Sequence, residues 1–178
     1  GGFHPRLAAI ESEADIIGFD ADPEECARLN AAAKPGSRHI NYAIGRENEK
    51  VTLELHKKAK TSSLYKTDVE RVSHFYDAER FLPAGEISFT TRSLDSVAAS
   101  ERIGRIDYLK VDVEGHELAV LEGCAQPFLF AEIEVYFHPF RQGACSFDAI
   151  MKHMRERGFM LIDLRRNFWS PRRTREVR

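Results

Sequence analysis

The sequence predicts a single α/β domain, a mostly parallel sheet flanked by helices. Two short runs, residues 15–20 and 107–113, are rich in strand-forming residues and carry acids at or near their ends. Stretches with helical spacing and capping residues lie between such runs. Strand and helix signals alternate along the chain, which implies right-handed βαβ units.

Residues 15–20 read as a buried strand. Asp22 then caps a helix, with Pro23 in its first turn and Glu25 at capping-box spacing. Cys26, Leu29 and Ala33 form its apolar face, and Pro35-Gly36 stops it. Residues 39–44 are a second strand, followed by a polar turn over 45–50. Residues 51–56 alternate, with Val51, Leu53 and Leu55 on one face, as a half-exposed strand does. Residues 61–63 begin a polar loop.

Val69, Val72 and Tyr76 predict a helix over 67–76. Residues 83–85 read as a turn, 87–91 as a strand and 94–99 as a short helix. A strand over 107–113 leads through Gly115, which permits a sharp turn, into a helix over 117–122 closed by Gly123. Residues 129–137 are a strand with Leu129, Ala131, Ile133 and Val135 on one face. A helix over 146–157 turns Phe147, Ile150, Met151 and Met154 inward. Gly158 caps it, and 159–164 is a last strand.

A chain of 178 residues suffices for one domain with a full core. The formal charge of −2 gives no ground for a polyanionic partner such as nucleic acid. No apolar run is long enough to span a bilayer, and no secretory leader is visible. A cytoplasmic protein without a membrane partner is the expectation. Cys26, Cys124 and Cys145 are widely spaced and odd in number, so free thiols are expected rather than a zinc site or disulfides. The opening Gly1-Gly2-Phe3-His4-Pro5 has no strand before it. The tail from Arg165 holds six arginines with Phe168 and Trp169, and a solvated terminus is its expected state. The domain over 1–178 therefore reads as truncated at both ends. Homo-oligomer formation is left open.

Parallel sheets bind ligands at the carboxyl ends of their strands. Asp20 ends the first strand, where a carboxylate can accept hydrogen bonds from both hydroxyls of a ribose. Gly1 and Gly2 suit the tail of a glycine turn that approaches a nucleoside closely. Asp112 and Glu114 flank the end of the 107–113 strand, followed by Gly115 and His116. One acid there can orient a cofactor, and another can accept a substrate proton. Lys110, in mid-strand, needs a partner, and Asp112, Glu132 or Glu134 can serve. Glu132 and Glu134 are costly inside an apolar strand unless paired with Lys110 or set beside a catalytic pocket. Asp112, Glu114, His116 and Glu132 lack a recognised ligand spacing, so no metal is expected.

The segment Lys110-Val111-Asp112-Val113-Glu114-Gly115-His116-Glu117, followed by Leu121-Glu122-Gly123, resembles the signature of the FkbM family of methyltransferases. Gly18-Phe19-Asp20-Ala21-Asp22-Pro23, Asn41-Tyr42-Ala43-Ile44-Gly45, Thr91-Arg92-Ser93-Leu94-Asp95 and Glu132 resemble its flanking elements. Asp20-Ala21 departs from the family's usual Glu-Pro. The resemblance implies a class I Rossmann-like methyltransferase fold, with its first strand absent here. It implies S-adenosylmethionine as cofactor and a small-molecule hydroxyl acceptor, a sugar, polyketide or related metabolite. Asp20 and Ala21 would then face ribose, Ala43 and Ile44 adenine, and Asp112 the methionine end. Glu114 would stand near the transfer site, with Glu114 or His116 as base. The segment 65–85 looks particular to this chain and suits a lid. The rival expectations are a nicotinamide-dependent oxidoreductase and a degenerate module that binds without catalysis.

Overall fold

The computed structural model describes residues 12–137 and 140–165. Gly1, Gly2 and most of the basic tail lie outside them. Six strands and five α-helices are described: β1 (Ile16–Phe19), α1 (Pro23–Ala31), β2 (Ser37–Ile40), β3 (Lys50–His56), α2 (Val69–Val72), β4 (Pro83–Thr90), α3 (Leu94–Ser100), β5 (Ile106–Val111), α4 (Glu117–Glu122), β6 (Phe128–Ile133) and α5 (Phe147–Glu156). The content is α/β as expected. In place of one mostly parallel sheet, the described residues form three separate two-stranded ladders. β1 pairs with β2 and β5 with β6 in parallel, while β3 and β4 form an antiparallel hairpin. The alternation in β3 marks that hairpin, since one of its faces meets water.

Local signals set the helix starts. The Asp22 carboxylate accepts the Glu24 and Glu25 amides at 2.9 and 3.4 Å, and the Ser93 hydroxyl accepts the Ser96 amide at 3.1 Å. The capping box is not formed, because the Glu25 side chain turns to Arg28 instead. Asn30 of α1 closes the outer edge of β2, donating to the His39 carbonyl and accepting its amide at 2.8 and 2.7 Å. A side-chain amide thus replaces a neighbouring strand at an open edge.

The main core gathers Leu94, Val111, Val120, Leu121, Phe128, Ile150 and Met154, with Phe19, Ile44 and Ile133 packed against it. A second, smaller cluster ties Val72 and Phe81 of the 65–85 segment to Phe140.

Several elements depart from expectation. The 67–76 helix shrinks to the single turn α2: of the three residues expected on its apolar face, Val72 meets a core while Val69 and Tyr76 are 57% and 77% exposed. Residues 83–85 belong to β4 and not to a turn. Pro83 tolerates the first strand position, and an irregularity at Leu55/His56 absorbs the register shift. The 39–44 strand runs instead over Ser37–Ile40, with Ile44 bridging Arg92. β6 stops at Ile133, and Leu129 is exposed while Phe128 is buried. Residues 160–164 form no strand: Phe159 stacks on Phe128 at 4.7 Å, whereas Met160 and Ile162 stand in solvent. The three cysteines are free. No helix among the described residues is long and apolar enough to cross a membrane.

Candidate functional site

The chain turns sharply at the carboxyl end of β5. Glu114 has φ 57° and Gly115 φ 111°, two successive residues in left-handed backbone. A side chain at 115 would be strained there and would meet Ala144 Cβ at 3.0 Å and Tyr65 Cδ2 at 3.2 Å. Glu114 is not a glycine, so its conformation costs on the order of 1 kcal/mol and needs support.

That support comes from Glu117, the first residue of α4. Its side chain is fully buried. Its Oε1 accepts the amides of Val113 and Gly115 at 3.2 and 3.0 Å, and Cys145 Sγ lies 3.7 Å from Oε2. Burial raises its pKa, while the amide hydrogen bonds pull the other way. From outside, Ser63 Oγ donates to the Glu114 carbonyl at 2.7 Å. Residues 62–63 read as plain loop polarity in the sequence, yet Ser63 is 1% exposed and braces the turn.

The Glu114 carboxylate is ion-paired with Arg141, a buried arginine. Arg141 also donates to the Thr61 carbonyl and to the Tyr136 hydroxyl, both at 3.2 Å. The single Tyr136 proton goes to Glu134 Oε2 at 2.6 Å rather than to Glu114 at 3.4 Å. Burial and the two carboxylates raise the pKa of Tyr136, so it stays a phenol. Burial pushes Glu134 up to about 7, with the Glu114, Asp112 and Glu117 charges adding to it against the Tyr136 hydrogen bond. Asp112 is exposed and pairs with Lys110 at 3.5 Å.

Asp112, Glu114 and Glu134 therefore converge, each with a carboxylate oxygen within 4.8 Å of the others. Arg141 supplies counter-charge to Glu114, and Lys110 to Asp112. Sequence reasoning placed Asp112 and Glu114 here, left Glu134 between a partner for Lys110 and a place beside a catalytic pocket, and missed Arg141 altogether. Nothing local marks Arg141, which lies 27 residues from Glu114.

The other two expected catalytic residues face elsewhere. Glu132 does not pair with Lys110: it accepts from the Tyr108 hydroxyl at 2.9 Å and pairs with Arg165 at 2.8 Å. His116 is 4% exposed and turns toward the β3–β4 hairpin. Its Nδ1 lies 3.2 Å from the Tyr65 hydroxyl, and its Nε2 has no hydrogen bond and stands 3.9 Å from Glu49. Burial lowers the His116 pKa, which keeps the ring neutral. It lines a cavity of about 320 Å³ with Tyr65, Glu49, Thr52 and Glu86.

At the end of β1, Asp20 Oδ1 accepts the Asp22 amide at 2.9 Å, and the Asp20 carbonyl accepts Asn41 Nδ2 at 2.9 Å. The ends of β1 and β2 are thus laced together, and Oδ2 of Asp20 has no hydrogen-bond partner among the described residues. Ala21 is exposed. Ala43 gives its carbonyl to the Arg92 amide at 2.9 Å, and Ile44 packs on the main core.

Asp20 and Asp112 thus stand at the carboxyl ends of the parallel strands β1 and β5, the ends at which open α/β sheets take ligands. The family profile of the methyltransferase FkbM domain matches residues 5–161. The chain belongs to the FkbM methyltransferase domain family. No curated protein and no solved structure matches it.

Proposed function

We propose that this chain is an S-adenosylmethionine-dependent O-methyltransferase acting on the hydroxyl of a small hydrophilic metabolite such as a sugar. The observation that carries the reading is the Glu114-Gly115 turn at the end of β5, braced by Glu117 and Arg141 inside the matched family domain. It holds a left-handed backbone and three converging carboxylates at the strand end where parallel sheets take ligands. Membership in a methyltransferase family supports methyl transfer over hydride transfer.

The residues present fit the cofactor. Asp20 offers a carboxylate oxygen to ribose hydroxyls at the tip of β1, while its other oxygen holds the Asp22 amide. Ala43 and Ile44 supply a small apolar border for adenine. Asp112, exposed and balanced by Lys110, suits the ammonium of the methionine end. When bound, S-adenosylmethionine supplies an electrophilic methyl group on a sulfonium. This chain orients the acceptor oxygen in line with that carbon and takes up the hydroxyl proton.

Calorimetry with S-adenosylhomocysteine on the full chain tests the reading. Micromolar binding is expected, weakened about tenfold or more by Asp20→Asn, which keeps the turn hydrogen bond and loses the charge. Absence of binding by the unaltered chain would favour a non-catalytic binding module.

A further inference from the structure

We propose that Glu134 is the catalytic residue that accepts the acceptor hydroxyl's proton. The proposal rests on the methyltransferase reading above and deepens it. Of the carboxylates that converge after β5, Glu134 alone has no cation bound to it among the described residues. Asp112 is paired with Lys110 and Glu114 with Arg141. Glu117 is fully buried and holds the amides of the turn. On its own segment, Glu132 is held by Tyr108 and Arg165. Glu134 Oε2 takes the Tyr136 hydroxyl, and Oε1 has no hydrogen-bond partner among the described residues.

The backbone fixes where this carboxylate stands. The Glu134 amide donates to the Val111 carbonyl at 2.9 Å, which sets it beside the last residue of β5. Tyr136 is in turn pinned, edge-on to Phe140 at 5.4 Å and hydrogen-bonded by Arg141. Glu134 is only partly buried. A base titrating close to neutral pH works best there, being deprotonated and still basic.

The step balances. A bond forms between the acceptor oxygen and the methyl carbon as the carbon–sulfur bond breaks. Its electron pair stays on sulfur, leaving a neutral thioether. The hydroxyl proton passes to the Glu134 carboxylate and from there to water.

The test uses the full chain labelled with ¹³C at glutamate carboxyls. One resonance is expected to titrate near neutral pH, to be missing from Glu134→Gln, and to move on saturation with S-adenosylhomocysteine. If every glutamate carboxyl titrates in the ordinary range near 4.3, or that resonance ignores the ligand, the proposal is overturned. Transfer of labelled methyl to methyl glucosides is then followed from pH 5.5 to 9. Glu134→Gln should bind S-adenosylhomocysteine within about twofold of the unaltered chain and turn over about 100-fold slower, without the rising limb near pH 7. A variant that keeps that limb and rate, or that loses the ligand, overturns the assignment. If the unaltered chain binds the ligand but methylates no glucoside, the acceptor class proposed above is wrong, and the carboxyl titration alone decides the role of Glu134.

Discussion

Replacing Glu134 by glutamine should stabilise the protein at alkaline pH and leave it nearly unchanged in mild acid. The folded carboxyl is pushed from 4.5 up to about 7, chiefly by burial. Between those values the folded state holds a proton that the unfolded chain has released. Stability from this group is therefore present in full below about pH 4.5 and is lost as pH rises through 7. At ~1.4 kcal/mol per pKa unit, the full rise corresponds to about 3 kcal/mol. Solvent reaches part of the half-buried side chain, which reduces that to roughly 1–2 kcal/mol. Glutamine keeps the acceptor oxygen for Tyr136 and removes the titration. Urea denaturation at pH 5 and pH 8.5 measures the effect. Glu134→Gln should match the unaltered chain at pH 5 and exceed it by roughly 1–2 kcal/mol at pH 8.5. A difference that does not change with pH would refute the argument.

Two further perturbations examine the turn and its setting. Glu117→Ala strands the buried Gly115 amide and the part-buried Val113 amide and should cost about 2–3 kcal/mol by denaturant unfolding, whereas Glu117→Gln retains an acceptor and should cost about 1 kcal/mol. Gly123→Ala would set a Cβ 2.2 Å from the Gly45 carbonyl oxygen, so backbone must move. A loss of about 3 kcal/mol is expected, seen as a melting temperature lower by about 6 °C or more.

What could be read in the sequence follows the range of each interaction. The Asp22 cap acts within three residues, and the left-handed turn needs a glycine at its own position. The start of α1 and the bend at Gly115 were therefore legible. The acids Asp20, Asp112 and Glu114 were found because strand ends are local features. Glu25 was misjudged because Arg28, one helical turn away, competes for its carboxylate. The 67–76 helix was overextended because periodicity says which residues share a face, not whether a core lies opposite.

The sequence by itself determined the family, the alternation of strands and helices, and the acids at their tips, since all of these depend on residues close together in the chain. Only the tertiary structure decided which acids carry a counter-charge. Arg141 reaches Glu114 across 27 residues and the Thr61 carbonyl across 80, and β5 pairing with β6 brings Glu134 alongside. Charge and burial at a carboxylate are sums over whatever folding packs around it, so neighbours distant in sequence set the chemistry.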